Sequence, residues 1–189
     1  MKHAASRELY AYWEDRRGGR LAPERADIEP GAIRQALSDT FILESADASH
    51  GHSFRLAGTR VCALFGRELK GESFINLWSI GSRQAIFDLL TISSEESVGT
   101  VAGVTAENII SEQVDLELLL LPLGIRRPSL ARTIGILAPL KATPWLGMTS
   151  IGALTLGSRR HIGATAKARL LPRFMAPRRG LVVLQGGRS

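Results

Sequence analysis

The run EQVDLELLLLPLG, residues 112–124, constrains the fold more than any other stretch. Val114, Leu116, Leu118 and Leu120 fall on one side of an extended chain, Asp115 and Glu117 on the other. That alternation is the period-two pattern of a half-buried strand. A strand needs neighbours, and four other stretches supply them. TFILESAD from Thr40 and HSFRLAG from His52 are separated by turn residues and read as a hairpin. SVGTVAGVTAENI sets Val98, Ala102, Val104 and Ala106 loosely on one face, and ARTIGILAPLKA places Ile134, Ile136 and Leu140 in register.

Helical spacing occurs in three places. SRELYAYWEDRRGG has Ser6 as a candidate N-cap, Leu9, Tyr12 and Trp13 on one face, and Gly18-Gly19 to end it. DIEPGAIRQAL is a short helix with Pro30 at an early position. A longer helix spans about Ser82 to Ser93, with Ile86, Leu89, Leu90 and Phe87 as its inward stripe. This order predicts an α+β fold, a five-stranded antiparallel sheet with helices on one face and an N-terminal helical extension. The other sheet face is left for a partner. The segments divide into a helical cap (1–39), a core (40–145) and a Gly/Arg-rich basic extension (146–189) expected to be mobile, with a weak amphipathic helix near Ala164–Leu171.

The net charge of +6 conceals a strong division. Residues 1–117 hold 12 Lys/Arg and all 18 Asp/Glu, whereas residues 118–189 hold 12 Lys/Arg and no acid. A basic extension of this kind suits nucleic acid or an anionic lipid surface, or it balances the acidic part as a solvated tail. Only Phe174 interleaves its arginines, so single-strand recognition by stacking has little support. One cysteine, Cys62, excludes an internal disulfide and a Cys-based zinc site. With no signal-like apolar run at the N-terminus and no stretch of roughly 20 apolar residues, a cytoplasmic protein is expected.

The segment GTRVCALFGRELKG, residues 58–71, raises the chemical alternatives. Its glycines stand at 58, 66 and 71, a spacing that forms neither a dinucleotide fingerprint nor a P-loop. It therefore reads as short turns that bend the chain. Cys62 sits among apolar neighbours and reads as a packed small hydrophobe rather than a nucleophile. His50 and His52 form an isolated H-x-H in a turn, a weak metal pattern. No nucleophile–base arrangement or paired carboxylates take shape, so no catalytic or metal residues are assigned and no enzyme is expected. Arg60 either holds an anionic group or bonds a local carboxylate such as Asp39 or Glu44.

RLAPERADIEPGAIRQALSDTFILE and FRLAGTRVCALFGRELKGESFINLW carry a resemblance. With Arg25, Asp27, Pro30, Phe54, Arg55, Gly58, Thr59, Gly66, Gly71 and Trp78 at matching positions, the chain over about residues 5–145 resembles a bacterial PAS-like family. That family is frequent in alphaproteobacteria and was formerly catalogued as a domain of unknown function. The resemblance implies a sensing or contact module with a small-molecule cavity between sheet and helices, or one that dimerises through the outer sheet face and N-terminal helix. A cavity of that kind would be lined by Phe65, Trp78, Phe87, Leu90, Leu119 and Ile136, with Arg60 at its edge, and would hold an unknown ligand. Haem is disfavoured because the long helix has no histidine. Flavin is disfavoured because Cys62 lacks the Asn/Gln set that grips the ring. Leu9, Tyr12 and Trp13 are the candidate interaction residues, facing either their own sheet or a partner, a homodimer mate or a separate signalling protein.

Overall fold

The computed structural model describes residues 1–45, 51–124 and 132–163. Helix α1 spans Ala4–Arg17, and three 3-10 turns follow at Arg25–Asp27, Pro30–Ile33 and Leu37–Asp39. Strands β1 (Thr40–Ser45) and β2 (His52–Ala57) precede α2 (Thr59–Phe65), a turn at Phe74–Leu77 and α3 (Ile80–Glu96). The remaining strands are β3 (Gly99–Glu107), β4 (Gln113–Leu123), β5 (Arg132–Pro139) and β6 (Thr155–Ile162). Paired neighbours are antiparallel throughout, in the order β2-β1-β5-β4-β3-β6.

The five expected strands are present, and a sixth joins them. TLGSRRHI was read as part of a loose extension, but it pairs along β3, with Val101 opposite Arg160 and Thr100 opposite His161. Nearly every residue of β6 is exposed, so the strand has no apolar alternation to betray it. Backbone hydrogen bonding to β3 defines it instead. The stretch leading into it is also part of the domain, because Ile151 and Leu154 are buried in the core. The boundary drawn at 145 therefore falls too early, and the core continues through β6.

Both faces of the sheet are covered. On one, α2, α3 and the turn at Phe74–Leu77 pack against Phe41, Leu43, Ala102, Val104, Leu116, Leu118 and Leu120. On the other, α1 and the turns after it pack against Ile42, Val101, Leu119, Leu121, Ile134 and Ile136. The face expected to await a partner is thus occupied by the chain's own N-terminus. In β4 the apolar residues of both parities are buried, which makes it a central, two-sided strand rather than a half-buried one.

Local details follow from sequence. His3, not Ser6, caps α1: its Nδ1 accepts the Ala5 amide at 3.2 Å. Gly18 ends the helix at φ +53°, a conformation glycine adopts without strain. The stretch read as turns after β2 contains a real helix, α2, bounded by Gly58 and by Gly66 in the left-handed region at φ +64°. An alanine at Gly66 is expected to cost about 1 kcal/mol for that backbone conformation, measurable by urea denaturation. The DIEPGAIRQAL segment forms 3-10 turns instead of a short α-helix.

Candidate functional site

The space between sheet and helices is the first place to seek a site, and it is filled. Phe41, Phe54, Phe74 and Trp78 form a ring lattice with centroids 5.5–5.7 Å apart. All four are buried, together with Phe65, Leu69, Ile86 and Leu90. Edge-to-face packing at such distances adds to area burial and leaves little freedom to open.

The proposed cavity residues do not converge. Phe65, Trp78 and Leu90 lie in this helix-side core. Leu119 and Ile136, paired across β4 and β5, face the opposite side against α1. Phe87 lies on the outward face of α3 and is 41% exposed, contrary to its placement in the inward stripe. Strand parity explains the split: Leu118 and Leu120 point to α3, so Leu119 between them cannot.

Arg60 is accounted for by a local pair. Its Nε and Nη2 meet the two oxygens of Asp39 at 2.8 and 2.6 Å, and Nη2 also reaches the Gln35 carbonyl at 3.3 Å. Asp39 is buried, so this fork anchors α2 to the turn before β1. Glu44 is taken by Arg132 at 3.0 and 2.6 Å, with Arg55 at 3.8 Å. Cys62 is half-buried, with its thiol near the Ala57 carbonyl and Glu68. Burial pushes the Cys62 thiol up and Glu68 adds to it, the opposite of what a reactive thiolate needs.

His52 carries a pH-sensitive liability. It is 7% exposed, and neither ring nitrogen has a hydrogen-bond partner among the described residues. Burial pushes it below the ordinary histidine value, so the folded state favours the neutral ring. The unfolded chain then gains the proton first, and stability falls as pH drops below about 6.5. A His52→Leu variant should lose that acidic slope between about pH 6.5 and 5, read from denaturation midpoints. His50, the other half of the H-x-H, lies outside the described residues, as does the Ala164–Leu171 segment. Among the described residues no group of three metal-ligating side chains occurs.

The outer face holds the more informative arrangement. Leu9 and Trp13 are fully buried against the sheet, and Trp13 Nε1 donates to the Pro122 carbonyl at 2.7 Å. Of the two partners considered for this stripe, the chain's own sheet is the one it meets. Tyr12 is half-buried at the margin, where its hydroxyl accepts the Glu29 amide at 2.9 Å and donates to the Asp27 carbonyl at 3.1 Å. Arg16 and Arg17 lie over the Tyr12 and Trp13 rings at 5.1 and 5.5 Å, closing the helix's outer edge.

At the start of α1 stands Glu117, 4% exposed. Its two oxygens accept the Lys2 amide at 2.6 Å and the His3 amide at 3.0 Å. Burial by itself raises the Glu117 pKa. The Lys2 amide, the Ser6 side chain, the His3 amide and the nearby N-terminal ammonium together outweigh it, and the carboxyl is held below its usual range. A charge from the central strand therefore satisfies the open amides ahead of a helix more than 110 residues earlier in the chain. Because the folded-state pKa is lowered, this contribution is full above about pH 4.3 and is lost as pH falls below it. Sequence reading placed Glu117 on a solvent face. The signal that locates it was present in Leu119, Leu121 and Leu123, whose shared parity shows that this face too is covered.

Beside Glu117, between residues 1–2, β3, β4 and β6, lies a half-open cleft of about 250 Å³. Lys2, Gly103, Glu117, Arg159 and Arg160 are among its walls. Among the described residues no helix is long and apolar enough to cross a membrane.

A PAS domain family model matches residues 1–138, most of the chain. The chain belongs to the PAS domain family, and is a sensory or regulatory PAS-like module. Among solved structures, an RNA-binding light-oxygen-voltage receptor is similar at 14% identity and a TM-score of 0.43. That match covers 67% of this chain and 36% of the receptor, so it spans little more than a third of that protein. No curated protein sequence matches the chain.

Proposed function

We propose that this PAS domain is a regulatory module that works by protein contact, with α1 as its signalling element, and that it has no catalytic activity of its own. The observation that supports this reading is the contrast between the two sheet faces. The helix side is closed by an aromatic lattice. The opposite side is covered by α1 and the turns after it, and the two amides just ahead of α1 rest on one buried carboxylate. A partner that binds the domain with α1 docked, or with α1 displaced, shifts the balance between those states by its difference in affinity.

Exposed apolar side chains offer contact points. Ile80 and Phe87 stand two turns apart on α3, and Ile109 and Ile110 at the β3–β4 turn. Affinity capture with the intact protein as bait tests the reading, with Phe87→Glu and Ile110→Glu alongside. One of the two substitutions should abolish recovery of a partner, or of a second copy, while circular dichroism stays unchanged. Recovery unaffected by both would remove these surfaces from the account. Native mass spectrometry of freshly purified protein should show no small molecule retained in the helix-side core; a stoichiometric species there would overturn the contact reading in favour of ligand sensing.

A second reading keeps the basic C-terminal part as an adaptor for nucleic acid or anionic lipid, supported by Arg159 and Arg160 standing exposed on the edge strand β6. Binding of RNA, or of phosphatidylserine vesicles, should then fall steeply with salt and be lost when the chain is cut after Gly163 and Arg159 and Arg160 are both replaced by glutamine. Equal binding by that shortened and substituted chain would eliminate this role.

A further inference from the structure

We infer that the cleft beside Glu117 is a binding site for a small organic phosphate, a phosphomonoester with a short apolar body. The inference does not depend on the contact reading above. The cleft lies on the α1 side of the sheet, away from the packed helix-side core. Lys2, Arg159 and Arg160 line it; Arg160, opposite Val101, projects to this face, whereas Arg159, opposite Ala102, projects to the other. Neither Lys2 nor Arg160 forms an ion pair among the described residues. Among the described residues the one carboxylate in the walls, Glu117, is already committed to two backbone amides. Two cations, Lys2 and Arg160, therefore border a space whose one described acid is spent, an arrangement that favours an anion over water or a cation.

The shape of the space comes from the sheet. β3 and β6 lose register between Ala102 and Val104, where β6 advances three residues, from Arg159 to Leu156, against two of β3, with Gly103 facing the extra residue. The lack of a side chain at Gly103 leaves the floor of the cleft open, opposite Glu117 in the β3–β4 ladder. A bulge at a sheet edge commonly marks such a recess. Val101 and Leu140 add apolar wall. A volume of about 250 Å³ is below the roughly 300–1,000 Å³ of pockets for drug-sized ligands, which limits the occupant to a small metabolite. Because Lys2 supplies both a cleft cation and an amide to Glu117, an anion bridging Lys2 to Arg160 would fasten the start of α1 to β6.

Phenyl phosphate is the probe, titrated into the full-length protein at constant ionic strength and followed by amide chemical shifts. Inorganic phosphate tests the head group alone and benzyl alcohol the apolar body alone. Saturable shifts at Lys2, Gly103 and Arg160 are expected with phenyl phosphate. Affinity should be at least fivefold weaker for inorganic phosphate, and benzyl alcohol should give no saturation. Arg160→Gln should weaken binding about tenfold or more. Gly103→Val should do the same without changing any charge, since its new side chain enters the cleft floor beside Ser158. Gly103→Ala is a milder filling variant if valine disturbs the strand, its Cβ reaching ordinary contact 3.5 Å from the Ser158 hydroxyl. No saturation by phenyl phosphate, shifts confined to residues 164–189, or affinity untouched by these substitutions would overturn the assignment. Inorganic phosphate binding as tightly as phenyl phosphate would overturn the organic ligand class.

Discussion

Replacing Trp13 by alanine is expected to cost about 3–5 kcal/mol, the range for removing a fully buried large aromatic. Trp13 is completely inaccessible, fills the space between α1 and the sheet, and donates its indole N–H to Pro122. Its loss leaves a cavity on β4 and a buried carbonyl without its donor, which adds to the transfer cost. Domains of this kind have about 5–15 kcal/mol of stability in all, so most of the grip on α1 disappears while the aromatic lattice on the far side remains intact. Denaturant titration followed by far-ultraviolet and near-ultraviolet signals measures both. Tyr12→Phe is the control: it removes one hydroxyl with two backbone partners at the margin and should cost about 1 kcal/mol. Equal losses for the two variants would contradict the packing described for α1.

Gly58→Val is expected to destabilise by about 3 kcal/mol or more, as overpacking against backbone does. Gly58 has an ordinary φ of −69°, so conformation is not the reason. A Cβ there would overlap the carbonyls of Leu37 and Ser38, which are fixed by the turn that leads into β1. The Gly58 amide donates to the Thr40 carbonyl at 2.8 Å, which locks the start of α2 to the first strand. Cys62→Ala, four residues on, should change stability by less than about 1 kcal/mol because the thiol is half-buried and weakly bonded. The comparison separates the two properties of this segment. Its glycine is structural to the fold, and its cysteine is replaceable.

Much of the fold was legible in the sequence wherever one face of an element was apolar. The β1–β2 hairpin, the long helix and the three following strands announced themselves through Phe54, Leu89, Val104, Leu118 and Ile134, because their periods are set by burial. β6 escaped because, between Leu156 and Ile162 at its two ends, it is an exposed edge strand with no apolar period. Its Ser-Arg-Arg-His run is held by ladder hydrogen bonds that side chains do not encode. The site was less legible. Alternation was read on one face of β4 only, so Leu119 was grouped with Leu90 although the sheet stands between them. The same reading sent Glu117 to solvent. A carboxylate followed by leucines of both parities marks a strand covered on both sides, and a charge in such a strand needs a partner. That partner, the first amides before α1, lies more than 110 residues away and no local pattern could name it.

Hydrogen–deuterium exchange of the intact protein and of Glu117→Gln at pH 7 tests most directly the claim that α1 is a separable element latched by one buried carboxylate. The glutamine keeps the shape but removes the charge and one acceptor, which should weaken the latch by about 1.5–3 kcal/mol. The account predicts exchange in residues 1–17 faster by roughly tenfold or more, with β1, β4 and β5 and the Phe41–Phe74–Trp78 lattice still protected. Unchanged protection in α1, or a uniform loss across the sheet, would contradict it.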